Sequence, residues 1–226
     1  MIKNNLIIGA ILSLLNALCF GHAENSSEAV FTDIYQRGVW GGQWFSGGGS
    51  KAESSLPYMN ILNYYLRKCH IKSVVDIGCG DWQFSRYIDW SGINYTGYDV
   101  VKHIVDVNQK QFGSTNIIFK HGDFISNEIH GGDLLVCKEV LQHLTNSDVH
   151  YFIKNIIPKF RYCLIVDEVN AVTKSSNNPD NPRGSTRQLD LTKEPFSVKA
   201  EILLVYESEP NVFKQVLLIV NEQISN

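Results

Sequence analysis

The chain has 226 residues, of which 44% are hydrophobic and 19% charged, with a net charge of -3. That length and ordinary globular composition suit one α/β domain with a good core. The slight acidity gives no support to general nucleic-acid binding.

The N-terminus is less ordinary. Lys3 precedes an apolar run, residues 6–20, whose polar side chains are Ser13 and Asn16. Gly21-His22-Ala23 then places small residues at the two specificity positions of a signal-peptidase site. This pattern predicts a signal peptide over residues 1–23, cut after Ala23, and hence an exported or secreted protein. The run is short for a membrane span, which needs about twenty apolar residues. An uncleaved N-terminal anchor is the alternative, and no stable span is expected after cleavage. Of five cysteines, Cys69, Cys79, Cys137 and Cys163 remain after it. None forms a C-x-x-C pair, so no metal site is predicted. Buried thiols are the expected state.

Residues 24–50 form an N-terminal arm. Its first part, 24–31, is polar and reads as flexible. Its second part, Val39–Ser50, sets Trp40, Trp44 and Phe45 among five glycines. Large aromatics do not belong in an inert linker. The arm is either a strap packed on the core or a lid, with residues 46–50 near the ligand.

Residues 51–226 carry the main domain. Leu56, Met59, Leu62, Tyr65 and Leu66 keep helical spacing over 50–69, with Ser54 or Ser55 as cap. Ser73–Ile77 is a branched apolar run suited to a buried parallel strand. It leads into Gly78-Cys79-Gly80, where glycines permit a sharp turn and close backbone approach to a ligand. Asp81 can cap a helix that follows. A second apolar run, 93–101, reaches Asp99 about twenty residues past the loop. Doubly wound nucleotide folds place their ribose-binding acid there. A dinucleotide is disfavoured, because the third glycine of G-x-G-x-x-G would fall at Gln83.

Further on, 101–112 reads as a helix and 116–119 as a strand ending before Asp123. Residues 132–137 form a fourth strand, flush against Lys138, Glu139, Gln142 and His143. Ligands in such sheets sit beyond the carboxyl ends of the strands, which puts these four near a pocket. A helix over 146–157, capped by Thr145 or Asn146, precedes a fifth strand over 162–166. Residues 168–198 lack periodicity, as a functional or disordered loop would. Two strands, 199–206 and 212–220, close the chain.

Asp76-Ile77-Gly78-Cys79-Gly80 resembles motif I of class I S-adenosylmethionine-dependent methyltransferases, and Tyr98-Asp99 resembles their motif II. Asp123 resembles the motif III acid, and 132–144 the motif IV strand and its following segment. Gly184–Phe196 resembles a Gly-x-x-Arg-x-Leu-Asp-Leu…Pro-Phe segment of some small-substrate members. The Trp-Gly…Ser-Gly-x-Gly-Ser arm is similar to that of exported and bacterial relatives. The likeness covers Trp40–Val220. Trp82 departs from it, standing where many members have a third glycine, which suggests a bulky wall near the cofactor.

The resemblance implies a Rossmann-like α/β fold with a seven-stranded, mostly parallel sheet and an antiparallel C-terminal hairpin. It implies S-adenosylmethionine as cofactor, held by Asp76, Gly78, Cys79, Gly80, Asp81, Trp82, Asp99, Val100, Asp123, Phe124 and Lys138. The expected reaction is methyl transfer to an oxygen or nitrogen of a small molecule. His143 is the candidate general base by type and placement; the alternative is a turn-packing role. A non-catalytic binding protein, or a secreted effector that methylates a host protein, stays open as another reading. No Asn-Pro-Pro-Tyr segment follows the fourth strand, so amino-group methylation of DNA or glutamine by that motif is not supported.

Overall fold

The computed structural model describes residues 26–170 and 178–222. The predicted signal segment therefore lies outside the described residues. Among the described residues, eleven α-helices and β-strands follow in chain order. They are α1 (Ser27–Arg37), α2 (Ala52–Lys68), β1 (Ser73–Ile77), β2 (Asn94–Asp99) and α3 (Lys102–Phe112). Next come β3 (Ile117–His121), β4 (Gly132–Lys138), α4 (Asn146–Asn155), β5 (Phe160–Val169), β6 (Glu201–Glu209) and β7 (Val212–Val220).

One seven-stranded sheet runs in the order β3-β2-β1-β4-β5-β7-β6. β1 to β5 pair in parallel, while β7 is antiparallel to both β5 and β6. This is the mostly parallel sheet with a C-terminal hairpin that the sequence predicts. Parallel strands covered on both faces need apolar side chains on both. Accordingly Leu134, Leu135, Val136 and Cys137 are all buried in succession along β4. The sheet thus separates two cores. One gathers Tyr58, Leu62, Val74, Tyr95 and Leu164. The other gathers Ile77, Leu135, Phe152, Phe160 and Ile165.

Three expectations change. Residues 24–31 are not a flexible arm where they are described, since α1 begins at Ser27 behind an N-cap at Ser26, whose hydroxyl accepts from the Ala29 amide. Ile34 and Tyr35 are buried on its inner face. Second, no α-helix follows the glycine loop; a single 3-10 turn, Ser85–Tyr87, stands there. Trp82, Phe84, Ile88 and Trp90 all enter the core, and their spacing of two, four and two does not make one helical stripe. Third, α2 starts behind Lys51 rather than at Ser54 or Ser55. The Ser55 hydroxyl instead donates to the Gly49 carbonyl at 3.0 Å, tying the helix to the arm. The cap of α4 is as expected: Thr145 and Asp148 form a reciprocal capping box. The four cysteines among the described residues, Cys69, Cys79, Cys137 and Cys163, are free thiols.

Candidate functional site

The strand order reverses between β1 and β4, where a doubly wound sheet opens a crevice at its carboxyl end. A cavity of about 330 Å³ lies there, within the range of small-molecule sites. Its wall includes every cofactor residue anticipated above except Trp82.

The glycine loop forms the base. Gly78 and Gly80 have φ of +71° and +54°, angles that favour glycine. A Cβ on Gly78 would lie 2.4 Å from Val140, and one on Gly80 2.4 Å from the Ser46 hydroxyl. Asp99, at the tip of β2, fixes the loop. One carboxylate oxygen accepts the Gly80 amide at 3.0 Å, the other the Val101 amide at 2.9 Å. Burial raises the Asp99 pKa, and these two bonds oppose the rise. Each oxygen keeps a second lone pair for a ligand.

Asp76 sits deeper. Burial pushes its pKa up to about 7, against the hydrogen bond from Tyr95. The Tyr95 hydroxyl donates to it at 2.7 Å and accepts the Trp82 indole N–H at 2.9 Å. Trp82 is therefore not a wall of the cavity. It is 4% exposed and packs edge-on against Tyr95 and Phe119. Its φ of +56° turns it away from the loop into the core. Cys79 is buried, which raises its thiol pKa, so it is an unreactive lining group. Asp81 caps no helix; its amide donates to the Ser46 hydroxyl at 2.9 Å and its carboxylate accepts from Gln83 at 3.0 Å. Val100, Asp123 and Phe124 line the side beyond β2 and β3. One Asp123 carboxylate oxygen accepts the Ile125 amide at 2.9 Å.

The arm reaches this loop directly. Ser46 bonds Tyr35 of α1 at 2.6 Å as well as Asp81, and residues 46–50 line the cavity. Lys138, anticipated as a cofactor contact, lines the cavity and is bonded to two other lining residues. Its ammonium donates to the Gly49 carbonyl at 2.7 Å and pairs with Glu139.

Charged side chains make the opposite wall. Glu139 lies between two lysines whose side chains are 3% and 4% exposed, Lys138 and Lys214. Burial alone would raise the Glu139 pKa; the lysines override it and hold it at about 2. Its φ of +57° is unusual for a residue with a side chain. Lys214 also reaches Glu168 at 3.5 Å. Lys214 and Glu209 of the C-terminal hairpin line the cavity, and sequence reasoning did not single out either. The one available signal is Lys214 interrupting the apolar pattern of β7.

His143 ends a 3-10 turn after β4. A carbonyl only accepts, so the 3.1 Å bond to the Ser185 oxygen puts the ring proton on Nδ1. Nε2 keeps its lone pair, 3.5 Å from the Gln142 amide nitrogen. Gln142 is oriented by the Glu168 N–H, which donates to its oxygen at 2.8 Å. Burial lowers the His143 pKa, opposed by the Ser185 bond. Trp40 packs against the His143 ring, tilted by 40° with 5.2 Å between ring centres. Of the Gly184–Phe196 segment, Thr186 lines the cavity, whereas Arg187 is buried and bonds Asn146, Leu144 and Pro179.

With this geometry in hand, residues 75–157 match the family model described as a methyltransferase domain. The chain has the class I S-adenosylmethionine-dependent methyltransferase fold. Its sheet order and C-terminal hairpin are shared by solved methyltransferases at low identity. Magnesium protoporphyrin IX methyltransferase from Synechocystis PCC 6803, with bound S-adenosylhomocysteine, is 15% identical with a TM-score of 0.60. That match covers 86% of this chain and 100% of the other. TehB from Haemophilus influenzae is 18% identical with a TM-score of 0.53, over 72% and 62% of the two chains. The mitomycin 7-O-methyltransferase MmcR is 13% identical with a TM-score of 0.54, over 74% and 54%. No curated protein sequence matches the chain. The methyltransferase domain implies S-adenosylmethionine as cofactor, and the residues present fit it. The two glycines of the loop line the cavity without side chains, and the acids Asp99 and Asp123 stand at and just past two strand ends.

Proposed function

We propose that the protein transfers the methyl group of S-adenosylmethionine to an oxygen or nitrogen of a small molecule. One observation carries this reading: Asp99, Asp123 and the Gly78–Gly80 loop line a single cavity with His143. The cofactor supplies an activated methyl on a sulfonium. This chain's residues supply position, which accounts for much of the rate in such a displacement. Asp99 accepts from the ribose hydroxyls, and Asp123 from the adenine amino group. Trp40 shields His143 from bulk water. His143 Nε2 takes the proton that an oxygen or nitrogen acceptor gives up. Its depressed pKa keeps it neutral, and so able to act as a base, at pH 7.

Titration calorimetry with S-adenosylmethionine and NAD tests the cofactor. Binding of the first and not the second is expected; the reverse sinks the reading. Candidate acceptors are then screened with methyl-labelled cofactor. His143→Asn is expected to lower kcat about 100-fold or more without changing cofactor affinity. Unchanged kcat would leave His143 only a packing role.

We also infer that residues 1–23 direct export. The basis is the charged start, apolar middle and small-residue cleavage site of that segment. Among the described residues no helix is long and apolar enough to cross a membrane. Since the cofactor is made in cytosol, the protein would act wherever it meets it, such as a second cytosol. N-terminal sequencing of protein from the native producer tests this. A chain starting near Glu24 supports export, and an intact Met1 in soluble cytosol defeats it.

A further inference from the structure

Ser27, the first residue of α1, is 5% exposed, and its hydroxyl is buried with no hydrogen-bond partner. It lines the same cavity as Asp123 and Phe124. Buried hydroxyls in folded proteins are nearly always bonded, because desolvation without a partner is costly. A hydroxyl that faces a cavity can find its partner in the occupant.

The position of α1 says which part of the occupant. The neighbouring Glu28 carboxylate lies 3.2 Å from the His121 ring. His121 is the last residue of β3, two before Asp123. Phe31 packs against both the core that holds Phe124 and the small cluster of Tyr35, Val101 and Ile104. The start of α1 is thus pinned over the β3 side of the cavity. Asp99 stands on the neighbouring strand, opposite His121 in the β2–β3 register, with one carboxylate oxygen on the Gly80 amide.

We propose that Ser27 is a specificity residue for the nucleoside: its hydroxyl hydrogen-bonds the purine edge of the adenosine that Asp123 also reads. This rests on the cavity being the S-adenosylmethionine site. It makes α1 part of the binding site rather than a cover over it. Ordering of the N-terminal helix and binding of the base are then coupled, since the hydroxyl is bonded only when both are in place.

The test is Ser27→Ala in the full chain, titrated with S-adenosylhomocysteine. An approximately tenfold loss of affinity is expected, the worth of one hydrogen bond to a neutral group. The thermal midpoint of the ligand-free protein should stay level or rise, because an orphaned buried hydroxyl has been removed. A crystal structure of the wild-type complex should place Ser27 Oγ within hydrogen-bond distance of an adenine nitrogen. Unchanged affinity overturns the proposal. So does a lowered ligand-free midpoint with Ser27 Oγ turned from the base, which marks a packing role. Wild-type protein that fails to bind S-adenosylhomocysteine at all overturns the cavity reading itself, a result distinct from either.

Discussion

The two halves of the cavity are built by opposite means. On the β1–β2 side, backbone makes much of the lining: Gly78 and Gly80 bring no side chain to it, and Asp99 holds the loop through two amides. On the far side, charged side chains dominate: Lys138, Glu139, Lys214 and Glu168 form one linked set. A backbone site recognises a ligand whose shape never changes, which suits a cofactor. A side-chain site changes specificity with few substitutions, which suits an acceptor. The first half spans 24 residues, 76–99. The second draws on strands four, five and seven of the chain.

The sharpest way to break this contrast is Glu139→Ala. It would leave the buried Lys138 and Lys214 ammoniums without their shared counter-charge. Breaking a buried pair in this way costs about 3–5 kcal/mol, and urea denaturation should show it. The pH dependence has a definite sign. Glu139 titrates at about 2 in the folded protein against an ordinary 4.5. Its contribution is therefore complete above pH 4.5 and lost as pH falls towards 2. Wild type should lose stability across that window, and Glu139→Gln should lose less there. Equal pH slopes would refute the charge network.

Asp99→Ala tests the backbone half. It removes the acceptor for the Gly80 and Val101 amides and, on the proposed reading, for the ribose. Cofactor affinity should fall by about 1.5–3 kcal/mol, measured by calorimetry. An unaltered affinity would mean the ligand does not meet β2. Stability should change less than in Glu139→Ala, because the freed amides border a cavity that water can enter.

That difference also explains how much the sequence foretold. Strand β1, its glycine loop and Asp99 are consecutive, so local spacing carried them. The strands were equally readable from apolar runs, whereas the mostly parallel sheet and its final hairpin came from the family resemblance. The charged wall was not. Glu139 was visible only as a residue just past a strand, and Glu209 and Lys214 as ordinary hairpin residues. Their meeting depends on the β5–β7 register, which sets Glu168 opposite Lys214. Helix α1 was missed although Ser26 offered a cap and Val30, Phe31, Ile34 and Tyr35 an apolar face. Its polar start masked that face.

Asp76 links the two halves through protonation. Its pKa of about 7 lies above the ordinary 3.8. The folded protein therefore holds a proton that the unfolded chain releases, and between pH 3.8 and 7 stability falls as pH rises. A cationic cofactor next to the carboxylate favours its charged form. Binding near pH 7 should then release a fraction of a proton, and affinity should rise from pH 6 to 8. Calorimetry in buffers of different ionisation enthalpy measures the release. Asp76→Asn should abolish it, and a flat wild-type profile would show that the ligand's charge lies out of reach.

The smallest expected effect separates core from cavity most cleanly. Trp82 follows the glycine loop by two residues, so proximity in sequence suggests a cofactor contact. Its indole instead donates to Tyr95, which in turn donates to Asp76. Trp82→Phe keeps the ring in the aromatic cluster with Tyr95 and Phe119 but deletes that donor. The Tyr95 hydroxyl still donates to Asp76, so the cavity face is unchanged. Stability should drop by about 1 kcal/mol, the net worth of a buried hydrogen bond, while cofactor affinity stays within twofold. A tenfold affinity loss with unaltered stability would return Trp82 to the wall of the site. It would also mean that the positive φ at this residue serves the ligand rather than the core.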